Sequence, residues 1–314
     1  MAFGVLALAF VSSLLVVACP GGSLEKAQIL DEQADSLFVH GDFKLALELY
    51  NESFEIRARH VGPDSTPLAG SYLNVGKAWE ALDSLVEAEA CYRRCIELSS
   101  APGGDAQMLA LGHSARAAMN LRLDLYHRAE PDLREALRLR RSALAAQPLQ
   151  RSQDWQELMF CLEEQQQFQA ADSACDSALA CFQAGQAATS PVQTKALLAK
   201  GRLLLKMHRD QDAEAYAREG LTQGERLWAA DDPELAVARS ELGWCLARLG
   251  RFDEAEPLLL RTYAQQSQAL GTDAKQVRET ADHLAELYAA WSKPDLFGHY
   301  QLLGTRPGGA GSGD

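Results

Sequence analysis

The stretch ARSELGWCLARLGRFDEAEPLLLRTYAQQSQALG, residues 238–271, decides the fold. Its centre is Ala255. Gly243 stands twelve residues before it, Leu246 nine before and Gly250 five before; Leu259 follows by four and Thr262 by seven. Positions three, four and seven apart share one face of a helix. A small residue where two helices cross lets the backbones meet, while large ones fill the space around the crossing. Glycine between the two runs supplies the positive φ that ends a helix. The stretch reads as two antiparallel helices joined by a short turn.

The same frame recurs. Ala46, Ala88, Ala129, Ala171, Ala213 and Ala255 follow one another at intervals of 42, 41, 42, 42 and 42 residues. The small place is filled by Ala34, Gly76, Ala117, Gly201 and Gly243, with Met159 in the fourth frame. The large place holds Leu37, Trp79, Leu162, Leu204 and Leu246, with Asn120 in the third. Turn-tolerant residues are clear at Gly41, Asp83, Asp124 and Gly250. SYLNVGKAWEALDSLVEAEACYRRCIEL (71–98) follows the frame closely, and HRAEPDLREALRLRR (127–141) repeats the Ala-Glu-Pro of 255–257. A period of this length marks stacked helix pairs rather than one globular core. Leu284, Ala285 and Tyr288 begin a seventh unit, with Phe297 where its alanine would stand. Residues 294–303 are expected to form a shortened capping helix.

This pattern resembles the tetratricopeptide repeat, and its 42-residue period is similar to the kinesin-light-chain type found behind kinase domains of bacterial Ser/Thr kinases. The resemblance covers about residues 24–304 and implies an all-α, right-handed superhelical solenoid of about six and a half helix–turn–helix units. It implies a protein-interaction scaffold without catalysis or cofactor. The rival implication is a docking or sensory region of a Ser/Thr kinase signalling system. Chaperone-binding members of the family clamp a terminal carboxylate with an asparagine and lysines; the matching places here hold Asp31, Asp35, Leu73, Lys77, Ser114 and Ala118, so that activity is not carried over.

Residues 2–18 are almost wholly apolar and end in Val16-Val17-Ala18-Cys19, which resembles a bacterial lipobox with Cys19 as the lipidated residue. The run is short for a membrane span and suits a signal peptide. The expected organisation is a signal or anchor at 1–19, a repeat array at 20–304 and a disordered glycine-rich tail at 305–314. The expected location is the bacterial cell envelope, lipid-anchored or periplasmic, with membrane contact only through that N-terminal segment. An uncut anchor, a fragment cut from a longer membrane kinase, and a cytosolic chain are the alternatives. Of the six later cysteines, Cys95 and Cys175 fall on packing places, so buried thiols are expected rather than a metal site.

With a net charge of −13, the 314-residue chain is a poor partner for nucleic acid, which needs concentrated Lys and Arg. His208-Arg209-Asp210 spells a kinase catalytic triplet, but Ala215 stands where its asparagine belongs, and no phosphate loop accompanies it. No catalytic and no metal-binding set is read. The groove-facing places lie 18, 15, 11, 8 and 7 residues before each alanine. In the fourth to sixth frames they collect Phe160, Lys195, Arg202, Lys206, Trp244 and Arg248. Aromatic residues and arginines are common binding anchors. These six are the candidate contacts for a protein or peptide partner, with an acidic segment as the groove hypothesis; the alternative is that the cations only pair with neighbouring acids.

Overall fold

The computed structural model describes residues 24–143, 148–183 and 190–304. The apolar segment with Cys19 and the tail at 305–314 lie outside the described residues. Among the described residues no strand occurs; fourteen α-helices run α1 (Leu24–Val39), α2 (Phe43–Val61), α3 (Ala69–Ala81), α4 (Leu85–Ser100), α5 (Ala106–Arg122), α6 (Tyr126–Ala143), α7 (Pro148–Glu164), α8 (Phe168–Gln183), α9 (Pro191–Lys206), α10 (Asp210–Leu227), α11 (Pro233–Arg248), α12 (Phe252–Leu270), α13 (Lys275–Ala290) and α14 (Pro294–Gly304). They form two compact units, α1–α6 and α7–α14. No described helix is long and apolar enough to cross a membrane.

Each frame becomes one antiparallel pair, and within each unit successive pairs pack against one another. All six frame alanines are completely buried. The small place meets the residue four after the alanine: a methyl built on Gly76 would lie 2.7 Å from the Tyr92 ring, one on Gly243 2.8 Å from Leu259 Cγ, and one on Gly201 3.4 Å from the Ala217 nitrogen. The two irregular residues, Met159 and Asn120, are buried as well.

Local chemistry sets the boundaries. Ser190 Oγ accepts from the Gln193 amide and Asp232 from the Glu234 amide, each directly ahead of a proline at the first helical position. The turn place has positive φ in all seven pairs, at Gly41, Asp83, Asp124, Gln166, His208, Gly250 and Ser292. Composition alone points to only four of these. The fold holds Gln166, His208 and Ser292 in the left-handed region because the two helices must reverse within the same short turn, despite the cost to a residue with a Cβ.

Repeat three departs from apolar packing. Asp132 on α6 is buried, and Arg116 of α5 grips it with two bonds, Nε to Oδ2 at 2.8 Å and Nη2 to Oδ1 at 2.7 Å. His113 Nδ1 lies 2.7 Å from Oδ1. Burial alone would raise the Asp132 pKa, but the bonds from His113 and Arg116 outweigh it and hold it below the usual value. Of the six cysteines among the described residues, five are buried and Cys91 is half-buried. Burial raises the Cys95 thiol to about 11 and the Cys175 thiol to about 12, which suits packing rather than reactivity.

Candidate functional site on the inner helix row of the second unit

In the second unit the first helices of successive pairs touch directly, α7 with α9, α9 with α11 and α11 with α13, whereas the second helices do not approach so closely. The first helices therefore line the inner side of this unit. All six candidate residues lie on them: Phe160 on α7, Lys195, Arg202 and Lys206 on α9, Trp244 and Arg248 on α11.

The centre of the row is a buried carboxylate shared by two cations. Glu163 of α7 has a side chain only 2% exposed; Lys206 Nζ lies 2.6 Å from its Oε1 and Arg202 Nη2 3.4 Å from its Oε2. Both cations keep about two-fifths of their side-chain surface open, Arg202 37% and Lys206 40%. Both cations thus stay partly open to solvent while Glu163 holds them in place. Arg202 also reaches across to α11, with Nη1 3.8 Å from Glu241 Oε1. Glu241 is buried and its Oε2 has no hydrogen-bond partner. Burial raises its pKa to about 7; Arg202 lowers it in part and Glu163 raises it further.

A second group lies beside it. Trp244 stacks on His283 of α13 with ring centres 4.5 Å apart, and its Nε1 donates to Glu286 Oε2 at 3.0 Å. Burial lowers the His283 pKa to about 4, so its ring is neutral at physiological pH. Arg248 lies over the Trp244 ring at 5.4 Å, pairs with Asp210 Oδ1 at 2.9 Å and donates to the Leu205 carbonyl at 2.8 Å. Its Nη2 is also 2.9 Å from His208 Nδ1. The kinase-like triplet thus sits in the α9–α10 turn, with Arg209 paired to Asp172 and Asp212. Lys195 stands apart from the central group, bound to Glu234 at 2.5 Å. Phe160 is exposed.

Arg202, Lys206, Trp244 and Arg248 are thus each engaged by groups of neighbouring helices. Glu163 was already a groove place by spacing. Glu241 falls one position off the groove register, and His283 and Glu286 belong to the incomplete seventh unit, so spacing did not select them. Among the described residues no group of three or more His, Cys, Asp or Glu is arranged to hold a metal ion.

No family model and no curated protein matches the chain. Solved structures do. RapI in its apo form is similar with a TM-score of 0.67 at 14% identity, over 88% of this chain and 96% of that one. A signal-transduction ATPase with a tetratricopeptide repeat sensor, from Pyrococcus horikoshii, is similar with a TM-score of 0.71 at 13% identity, over 89% of this chain and 42% of that one. A Rap protein complexed with competence and sporulation factor gives 0.59 at 14% identity, over 90% and 76%. At these identities the likeness carries the fold and nothing finer: the chain has the fold of tetratricopeptide-repeat proteins.

Proposed function

We propose that the protein is a non-catalytic interaction scaffold that binds an acidic peptide segment on the inner row of its second unit. One observation carries this reading: Arg202 and Lys206, both anchored on the buried carboxylate of Glu163, keep about two-fifths of their side-chain surface open, within a chain of net charge −13. Exposed Phe160 and half-buried Trp244 add apolar contact on the same row. A peptide carboxylate would meet charge-assisted donors that are already positioned by Glu163. A Rap protein of similar fold is complexed with competence and sporulation factor, which supports the reading by analogy of fold.

The test is fluorescence anisotropy with a labelled Asp/Glu-rich octapeptide containing one Phe. Arg202→Gln should weaken binding roughly tenfold or more, as loss of a central anchor does. Lys206 remains to pair Glu163, so the fold should hold; a thermal melt checks this. Equal affinity in folded Arg202→Gln would refute the assignment.

We further propose export and lipid attachment at Cys19, as part of a 42-residue-period repeat protein of the kinesin-light-chain type. The support is the apolar run ending in Val16-Val17-Ala18-Cys19. In a bacterial host, labelled palmitate should enter the wild-type chain and not the Cys19→Ala variant. Equal labelling of both would dismiss it.

A further inference from the structure

Glu241 is an expensive residue to place where it is. Its carboxyl is buried on α11, one oxygen has no partner, and the other meets Arg202 only at 3.8 Å. Arg202 must serve two buried carboxylates at once, with Glu163 at 3.4 Å on the other side. A carboxylate taken from water and left with half its bonds unmade is destabilised relative to its protonated form. An apolar side chain would fill the place at less cost.

Arg202 and Glu163 are the charges that act on Glu241 directly; the other charged groups of the neighbouring helices are mostly paired among themselves. Arg202 and Lys206 stand on α9 and Glu163 on α7. From α13 come neutral His283, 3.5 Å from Ser240 Oγ, and Glu286, bound to Trp244. On α10, Asp210 pairs with Arg248, and Glu214 with Arg218 and Arg251. On α12, Glu254 pairs with Arg251 and Glu256 with Lys293. Of these, Arg202 is the cation within ion-pair distance of Glu241.

We propose that a ligand carboxylate bound on Arg202 and Lys206 takes the guanidinium away from Glu241, and that Glu241 then accepts one proton from solvent, which makes it the residue that sets proton-linked affinity for acidic peptides. This rests on the peptide-binding reading above. The step adds one proton to a Glu241 oxygen and breaks no covalent bond. The bound anion repels the Glu241 anion, so binding and protonation favour each other.

The experiment is binding of the same labelled octapeptide from pH 6 to pH 8, where its own carboxylates stay ionised. Wild type should bind about tenfold more tightly at pH 6 than at pH 8, and Glu241→Gln should show no such slope. Calorimetry on wild type at pH 7, in phosphate and in Tris, gives proton uptake without any variant; the two heats should differ in the sense of uptake. Binding with no proton uptake, or a slope that persists in folded Glu241→Gln, overturns the linkage and leaves the peptide site standing. No binding of the peptide at any pH removes both.

Discussion

Asp132→Ala is expected to lower stability by about 3–5 kcal/mol, the cost of leaving a buried charge without its partner. The corresponding place in the other frames holds Leu49, Cys91, Ala174, Tyr216 and Leu258. Only the third frame puts an acid there, and it answers with Arg116 and His113 where the second frame has Val75 and Tyr72. Removing Asp132 strands the Arg116 guanidinium between α5 and α6. Replacing all three residues with Tyr, Val and Leu should restore most of the loss, because well-packed apolar groups substitute for buried ion pairs at little cost. The pH dependence has a fixed sign. The Asp132 pKa is depressed in the folded chain. Its contribution is therefore full above the unfolded value of about 4 and disappears as pH falls through the folded value. Thermal melts of both variants at pH 7, and of wild type down to pH 3, check these outcomes. A loss below about 1 kcal/mol for Asp132→Ala would mean the triad lies on a solvated surface.

Gly76→Val should cost about 3 kcal/mol, whereas Gly201→Ala should leave stability unchanged or raise it by up to about 1 kcal/mol. The two glycines hold the same place in the frame but face different neighbours. A Cβ on Gly76 would stand 2.7 Å from the Tyr92 ring and 3.1 Å from Cys91 Cβ. Tyr92 is fully buried and donates to Glu80 Oε2 at 2.6 Å, so it cannot withdraw without losing that bond. On Gly201 the nearest atom is the Ala217 nitrogen at 3.4 Å, an ordinary contact. Alanine there fits, and it gains the helix preference that glycine lacks. Urea titrations of both variants test the contrast. Equal effects would mean that the small place tolerates side chains generally, contrary to helix pairs in close approach.

The helix-pair architecture is legible because one physical demand repeats: a methyl or hydrogen where two helices cross, at a fixed interval. Ala255 and its five counterparts show it directly. The ends of α9 and α11 are legible for a similar reason, since Ser190-Pro191 and Asp232-Pro233 are local signals. The turns at Gln166, His208 and Ser292 are not, because packing of the two helices forces a conformation those residues do not prefer. The candidate site is half legible. Spacing brings Arg202, Lys206 and Trp244 to one face, but it does not say what each cation touches. Glu241, Asp210, His283 and Glu286 enter only through the rotation and separation of neighbouring helices, and those depend on side chains far along the frame. The division of the helices into two compact units is likewise absent from the even period.

The inner row of the second unit as a ligand surface is tested most directly by photocrosslinking. A benzophenone amino acid placed at Phe160 should couple to the acidic octapeptide, and the same group at Val86, exposed on α4 of the first unit, should not. Excess unlabelled peptide should abolish the Phe160 adduct. Equal coupling at both positions, or none at Phe160 under conditions where the peptide binds, would contradict the account.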